Sequence, residues 1–235
     1  MFMEDKFLKI RQEFATSVGF ENLYDFVDHF SLFAGIHTIG NKMFTYELLK
    51  NSVGVPGDVV EFGCWKGSNL MFLAKMMTLL EPNSPKRVIG FDNFSGLPSP
   101  TSTDGDFATS QTGRYRGDYE VLMQAIDLFE LRSRVELVVG DALKTIPKYR
   151  EDHRDSVFSF CYLDFDLYEP TKKALELIDE SLSVGGVIVF DEALSSEWPG
   201  ETLAMKEYLE SSDKKFKTVS NTLSRQPTLA LIRVE

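Results

Sequence analysis

Short apolar runs that end abruptly in acidic residues stand out in the second half of the chain. Residues 161–171 (CYLDFDLYEPT) and 187–192 (VIVFDE) each join a strand-like run to carboxylates. Apolar runs of about four to eight residues bounded by polar residues are typical of interior strands in a parallel sheet. Residues 171–182 are long enough for one crossover helix, and the glycine pair at 185–186 is expected to close it. The pattern predicts a right-handed βαβ unit.

The rest of the chain alternates between strand and helix patterns. Similar apolar runs predict three more strands, at residues 59–62, 87–92 and 135–139. Apolar positions three or four apart predict helices, at residues 70–80, 119–129 and 201–210. Residues 216–220 and 228–234 predict a closing antiparallel pair, with the last strand interior. We therefore expect an α/β fold with a mostly parallel sheet, an antiparallel C-terminal strand and helices on both faces.

The N-terminal part of the chain has a helical pattern rich in aromatic residues. Apolar side chains recur at helical spacing from residue 3 to about residue 50, with a break at Gly35. We assign residues 1–54 to a helical arm packed on the core and residues 55–235 to one globular domain. Packing against the sheet is the expected role of the arm. Covering the active site or contacting a second subunit are alternatives, so a homodimer stays open.

Two segments lack helical or strand periodicity. Residues 97–117 are rich in Pro, Ser, Thr, Gly and Asp and predict a long loop or lid, a kind of segment that is often functional. Arg114 and Arg116 in this segment are expected to be solvated, with contact to an anionic substrate as the alternative. Residues 148–155 predict a polar loop before the central strand.

Composition excludes several classes of protein. The chain has 43% hydrophobic and 26% charged residues, which indicates a globular protein. Its net charge of −11 argues against a nucleic-acid binder, which would carry a basic face. Two cysteines and three histidines give neither a disulfide framework nor a zinc motif. No apolar run is long enough to span a membrane, and no signal peptide is recognisable, so we expect a cytoplasmic protein.

The loop after the first predicted strand has the form expected of a cofactor-binding turn. Glu61 ends the strand, Gly63 and Gly67 flank Trp65, and Ser68 opens the next helix. This spacing departs from the dinucleotide fingerprint, in which glycines let a pyrophosphate approach the helix. An acid at the strand end suits a ligand that carries an ammonium and a sulfonium. We therefore predict S-adenosylmethionine, with a solvated role for Glu61 as the alternative.

Two further acids follow strands at positions where such folds contact nucleosides. Asp92 ends the second strand and is predicted to bind the ribose hydroxyls, although aspartate is also a common turn residue. Asp141 follows the third strand, where methyltransferases of this architecture commonly place an acid that faces the adenine amino group. Capping the following turn is the alternative for Asp141.

Four carboxylates are predicted to meet at the carboxyl edge of the sheet. They follow the two neighbouring strands of the βαβ unit: Asp164, Asp166, Asp191 and Glu192. Because like charges repel, such a cluster requires a cation, which we take to be a hard divalent metal helped by a positively charged cofactor. Asp164 and Asp166 are two residues apart and are expected to leave one strand on the same side. Helix capping by separate acids is the alternative.

Four ordered motifs resemble one known family, at residues 55–67, 91–98, 163–171 and 182–192. The chain resembles the macrocin and mycinamicin O-methyltransferases and their relatives in aminocoumarin sugar methylation. The resemblance implies a class I methyltransferase fold, with a Rossmann-like sheet. It also implies Mg²⁺-dependent transfer of a methyl group from S-adenosylmethionine to a sugar hydroxyl.

The resemblance assigns roles to the acids by position. It implies that Asp164 is the first metal ligand, that Asp166 is the general base, and that Asp191 and Glu192 complete the metal site. Glu192 departs from the family, which has a second aspartate there, and Asp141 replaces an aromatic residue. Three rivals stay open: a catechol- or phenol-type O-methyltransferase, a nicotinamide-dependent oxidoreductase, and a cofactor-binding protein without turnover.

Overall fold

A computed structural model describes residues 27–235, in which seven strands form one sheet. The strands are β1 (Asp58–Phe62), β2 (Val88–Asp92), β3 (Val135–Val139), β4 (Phe158–Leu163), β5 (Leu182–Phe190), β6 (Phe216–Ser220) and β7 (Leu229–Arg233). Their spatial order is β3-β2-β1-β4-β5-β7-β6. Strands β1 to β5 pair in parallel, whereas β7 is antiparallel to both its neighbours. The mostly parallel sheet and the interior position of β7 are as predicted.

Eight helices are described, and six of them cover the two faces of the sheet. The helices are α1 (Phe30–Phe33), α2 (Ile36–Asn51), α3 (Ser68–Leu80), α4 (Gly105–Ser110), α5 (Tyr119–Leu128), α6 (Ala142–Asp152), α7 (Tyr168–Ser181) and α8 (Pro199–Ser211). Helices α2, α3 and α5 share an apolar layer with one face of the sheet. Helices α6, α7 and α8 pack on the other face. Successive side chains of β1 point to opposite faces of the sheet. Val59 packs in the layer with α2, α3 and α5, and Val60 packs in the layer with α6, α7 and α8.

Three local predictions are wrong in detail. The predicted loop at 148–155 is mostly helix, because α6 continues through Pro147 while Ile146 and Tyr149 pack into the core. The glycine pair at 185–186 does not close a helix but lies within β5, which begins at Leu182. The loop at 97–117 contains the short helix α4. In each case tertiary packing outweighs a local breaker or polar signal.

The described part of the predicted arm belongs to the core. Gly35 precedes α2 as its N-cap, as the break in the pattern predicted. Phe44, Leu48 and Leu49 of α2 are buried in the layer that α3 and β5 share. The aromatic positions predicted as helical before residue 27 lie outside the described residues, and the division of the chain at residue 54 stays a prediction.

The described residues bear on two of the expectations from composition. Both cysteines, Cys64 and Cys161, are buried free thiols. None of the helices within residues 27–235 combines the length and apolar character required to cross a membrane.

Candidate active site

One cavity of about 540 Å³ opens at the carboxyl ends of the central strands. Most of the residues predicted for the site line it: Gly63, Trp65, Asp92, Asp141, Asp164, Asp166, Asp191 and Glu192. Three do not: Glu61 is buried behind the loop, Gly67 packs against Leu122, and Ser68 is exposed at the start of α3. The structure therefore brings the predicted cofactor loop and the predicted acid cluster to one cavity.

The loop after β1 has a backbone that few side chains would tolerate. Gly63 has φ +94°, and a Cβ there would lie 2.0 Å from the backbone oxygen of Asp164. Trp65 follows with φ +48°, an unusual value for a large residue, and its side chain is half exposed. Such backbone conformations persist where the surrounding structure enforces them, commonly at functional sites. The close approach at Gly63 packs the cofactor loop against the segment that carries the acids.

Asp92 holds this loop in place. Its Oδ2 accepts hydrogen bonds from the backbone N–H groups of Cys64 and Trp65, each at 2.7 Å, and its Oδ1 accepts one from Phe94 at 2.6 Å. Burial raises the pKa of Asp92, and hydrogen bonds from these backbone N–H groups and from that of Asn93 oppose the shift. Asp92 therefore anchors the loop, and its predicted contact with the ribose hydroxyls stays a prediction.

Asp141 caps helix α6. Its side chain accepts a hydrogen bond from the backbone N–H of Leu143 at 3.0 Å and lies 3.5 Å from the ammonium of Lys144. The capping alternative is therefore observed. Asp141 also lines the cavity, so contact with an adenine amino group stays a prediction.

Glu61 is a buried acid with one engaged oxygen and one free oxygen. It is 1% exposed, and Asn69 donates from Nδ2 to its Oε1 at 2.8 Å. Its Oε2 has no hydrogen-bond partner within the described part of the chain. Burial raises the pKa of Glu61 to about 7. An orphaned buried acceptor of this kind fits a cationic donor such as the ammonium of S-adenosylmethionine.

Asp164 and Asp166 reach the cavity in a different way from the one predicted. Strand β4 ends at Leu163, so both acids lie beyond it, and Asp166 has φ +63°. Strand alternation therefore does not explain their convergence; the turn does. Burial and the nearby Asp191 carboxylate raise the pKa of both residues well above the usual aspartate value. The acids are crowded, as the sequence predicted.

Asp191 and Glu192 follow β5 and are both buried. The hydroxyl of Tyr162 donates to Asp191 Oδ1 at 2.5 Å, whereas burial raises the pKa of Asp191 to about 6. Glu192 contacts the segment before β7. Gln226 donates from Nε2 to Glu192 Oε1, and a terminal guanidinium nitrogen of Arg225 lies 3.7 Å from the same oxygen. Burial and Asp191 together raise the pKa of Glu192 to about 7. Glu192 is thus shared between the acid cluster and the segment before β7.

Glu201 is a site residue that the sequence reasoning missed. It is fully buried at the start of α8, and its Oε1 accepts a hydrogen bond from the backbone N–H of Glu192 at 2.9 Å. Burial, with Asp191 and Asp166 nearby, raises its pKa well above the usual glutamate value. The only sequence signal was an acid in the first turn of a helix after Pro199, which is a common and uninformative position.

Aromatic side chains form one wall of the cavity. Trp65 and Tyr115 make an edge-to-face contact with ring centroids 5.8 Å apart, and Tyr115 lies 6.4 Å from Trp198. Phe107 makes a further edge-to-face contact with Trp198 at 5.3 Å. Tyr115 and Phe107 come from the segment at 97–117, so this segment lines the cavity, and its role as a lid stays a prediction.

The sequence matches an established family over most of its length. The family described as Macrocin-O-methyltransferase (TylF) covers residues 44–218. This chain belongs to the macrocin O-methyltransferase family. The family predicted from the four motifs is confirmed.

Individual relatives agree with the family. A Streptomyces olivaceus protein named 8-demethyl-8-(2,3-dimethoxy-alpha-L-rhamnosyl)-tetracenomycin-C 4'-O-methyltransferase is 28% identical over 164 residues, which are 67% of this chain and 60% of that protein. The matched region thus spans three fifths of that relative's length. The crystal structure of CalS11, a calicheamicin methyltransferase, gives a TM-score of 0.81 at 28% identity over 96% of this chain and 91% of CalS11. The O-methyltransferase NovP gives 0.70 at 21% identity over 84% and 81%. The predicted class I methyltransferase fold is confirmed.

The acid cluster has the donor atoms that a metal ion requires, but not their arrangement. Carboxylate oxygens are the donors that hard divalent cations prefer. Burial raises the pKa of both Asp164 and Asp191, and the charges of Asp191 and Asp166 raise that of Asp164 further. Across residues 27–235, however, no three His, Cys, Asp or Glu side chains are already grouped to hold a metal ion. A metal site is therefore not formed by the described residues as they stand, and a role for Mg²⁺ stays a prediction; Glu192 would have to share its carboxylate with Gln226.

Proposed function

We propose that this chain transfers a methyl group from S-adenosylmethionine to a hydroxyl of a sugar or a glycosylated small molecule, in natural product or glycan biosynthesis, with Mg²⁺ or another divalent cation. One observation carries the proposal. The anchored loop after β1 and the acids after β4 and β5 line the same cavity, so a donor and an acceptor can be held side by side. The Streptomyces olivaceus relative and CalS11, whose names describe methyltransferases acting on glycosylated compounds or TDP-rhamnose, support a sugar acceptor.

Three residues would bind the donor. Glu61 lies behind the cavity wall and would offer its unpaired oxygen to the ammonium of the methionine end from there, and Asp92 borders the cavity where a ribose hydroxyl is expected. Asp141 borders the cavity where the adenine amino group is expected. Gly63 and Trp65 shape the loop between them. Gly67 and Ser68, the N-cap and first residue of α3, would support the loop from outside the cavity.

The acids would serve the acceptor. Asp164, Asp191 and Glu192 would hold the cation, which when bound lowers the pKa of a coordinated hydroxyl. Asp166 lies in the same cluster without a described hydrogen-bond partner and would accept the proton as the hydroxyl oxygen attacks the methyl carbon. The new C–O bond forms as the C–S bond breaks, which leaves S-adenosylhomocysteine. Holding both reactants in line accounts for much of the expected acceleration.

Methyl transfer from labelled S-adenosylmethionine tests the proposal directly. We expect product with nucleotide sugars or glycosides, loss of turnover in excess chelator, and recovery when Mg²⁺ is added. Asp164→Ala should bind S-adenosylhomocysteine normally yet show no response to Mg²⁺. Methylation of catechols alone would contradict the sugar acceptor, and full turnover in chelator would contradict the cation.

Other expectations stay predictions. A cytoplasmic location is proposed from the two cysteines, which are buried free thiols. The absence of nucleic-acid partners follows from the net charge of −11. A homodimer formed through the arm is equally untested. Light scattering of the purified protein addresses this last point.

A further inference from the structure

Helix α2 brings a lysine close to Glu61, at the end of β1. The ammonium of Lys42 donates to Asn69 Oδ1 at 2.8 Å and lies 5.1 Å from the centroid of the Phe72 ring. Asn69 in turn donates from Nδ2 to Glu61 Oε1 at 2.8 Å. Lys42 makes no direct ion pair with any carboxylate of the described residues. Three side chains thus connect the arm helix to the end of β1.

The order of groups in this connection fixes the orientation of the Asn69 amide. A lysine ammonium can only donate hydrogen bonds, and an ionised carboxylate can only accept them. Asn69 satisfies both neighbours only with its oxygen toward Lys42 and its nitrogen toward Glu61. One oxygen of Glu61 is thereby occupied, and Oε2 is left free in a site that is 1% exposed.

Asn69 also keeps the two charges apart. A direct ion pair between Lys42 and Glu61 would neutralise the carboxylate and weaken its attraction for a cationic ligand. With the amide between them, Glu61 keeps a free charged oxygen. Burial raises the pKa of Glu61 to about 7, and the Asn69 hydrogen bond and the Lys42 charge both oppose that shift. The charge of Lys42 therefore favours the ionised form of Glu61 without an ion pair between the two side chains.

We propose that Lys42 is a positioning residue for the methyl donor. Through Asn69 it holds the Glu61 carboxylate so that Oε2 is free for the ammonium at the methionine end of the donor. This inference rests on the proposed function, because it takes S-adenosylmethionine as the ligand. It adds a contribution from the arm helix to donor binding that no motif in the sequence indicated.

Two nucleosides that differ only in the amino-acid end test this role. S-adenosylhomocysteine carries the ammonium that Glu61 would bind, whereas 5′-methylthioadenosine lacks it. In Lys42→Met, we expect the Kd of S-adenosylhomocysteine to rise about tenfold, the typical effect of losing one hydrogen bond to a charged group. The Kd of 5′-methylthioadenosine should not change. Lys42→Arg, which keeps the charge and the donors, should recover part of the loss.

A matched control lies on the same helix. Lys50→Met removes an exposed lysine whose ammonium contacts Glu47 and the Tyr46 ring of the same helix, and it should alter neither Kd. Equal weakening of both nucleosides by Lys42→Met would indicate a structural role and overturn the proposal, as would no weakening at all. If Lys42→Met does not fold, Asn69→Leu must show the same split between the two nucleosides. Failure of the unaltered protein to bind either one would instead contradict the proposed function.

Discussion

Residues of one chemical type take different parts in this site because the local backbone gives each a different partner. Asp92 is held by three backbone N–H groups and anchors a loop, whereas Asp166 sits in a left-handed turn. Glu201 accepts a hydrogen bond from the backbone N–H of Glu192 through Oε1, and its Oε2 has no partner among the described residues. A carboxylate oxygen that accepts a backbone hydrogen bond stabilises the local fold, and one without a partner can accept a hydrogen bond from a ligand.

Asp166→Asn should separate binding from turnover. Asparagine tolerates the positive φ of Asp166 better than most residues and keeps the size of the side chain, but it cannot accept the proton. We expect kcat to fall by about 10²- to 10⁴-fold, with the affinity for S-adenosylhomocysteine unchanged. Single-turnover kinetics and calorimetry measure the two effects. Asp152→Asn, on the exposed face of α6, is the control; full activity in Asp166→Asn would remove this residue as the base.

Binding of the donor should depend on pH through Glu61. Because the pKa of Glu61 is raised to about 7, the free protein binds a proton there as the pH falls below that value. A protonated carboxyl cannot pair with an ammonium, so affinity for S-adenosylhomocysteine should weaken as pH decreases and level off above about 7. Calorimetry in buffers of different ionisation enthalpy should detect a proton released on binding. Glu61→Gln should abolish the pH dependence, and an unchanged profile in that variant would contradict the assignment.

The sequence could identify these acids but not their partners. Asp164, Asp166, Asp191 and Glu192 follow apolar runs, and the carboxyl ends of parallel strands meet at one edge, so their convergence was predictable. The partners Lys42 and Asn69 were not, because they lie on two helices whose packing depends on the whole core.

At the scale of elements, helix α2 is docked through a close approach of backbones. A Cβ on Gly40 would lie 2.4 Å from the backbone oxygen of Leu223, in the segment between β6 and β7. The next residue, Asn41, donates from Nδ2 to the backbone oxygen of Gln226 at 3.0 Å. Since Gln226 also contacts Glu192, α2 is linked to the acid cluster as well as to Glu61.

Gly40→Ala tests this docking. Within an ordinary helix, replacing glycine by alanine stabilises the protein by about 0.5–1 kcal/mol. Here the added methyl group meets a backbone oxygen that cannot rotate away. We therefore expect the opposite sign, a loss of about 1–3 kcal/mol in the free energy of unfolding by urea denaturation. Met43→Ala, at an exposed neighbouring position, should change stability by less than about 0.5 kcal/mol. A stabilised Gly40→Ala would show that α2 does not pack as described.

The residues at which helices and strands begin and end are harder to predict from the sequence than their order. Strands β3 and β6 were predicted with their observed limits, because each is a short run between clear turn signals. Helix α6 was missed because Pro147 is a strong local breaker, yet burial of Ile146 and Tyr149 maintains the helix. The sequence likewise predicts a helix end at Gly185 and Gly186, because glycine is a common helix terminator, but both residues lie within β5. Glycine and proline are visible in the local sequence, whereas the apolar area that a helix or strand buries against the sheet depends on the tertiary structure.

For the whole molecule, the two apolar layers on either side of one sheet predict a single cooperative unit. Side chains of α2 are part of one layer, so α2 should not open independently. We expect amide hydrogen exchange at Phe44, Leu48 and Leu49 to proceed with the free energy of global unfolding. Amides of the exposed segment around Thr112 provide the comparison and should exchange faster. Early exchange in α2 would instead support a separate arm ending near residue 54.

The place of β7 in the sheet has a consequence for synthesis of the protein. Strand β7 follows β6 in the chain but lies between β6 and β5, so β5 gains its second neighbour only after residues 229–233 have been made. Until then β5 exposes an open edge directly before Asp191 and Glu192, and open edges invite pairing with other chains. A ribosome-bound nascent chain is therefore expected to keep this edge of β5 unpaired until β7 has emerged, and to need chaperone protection until then.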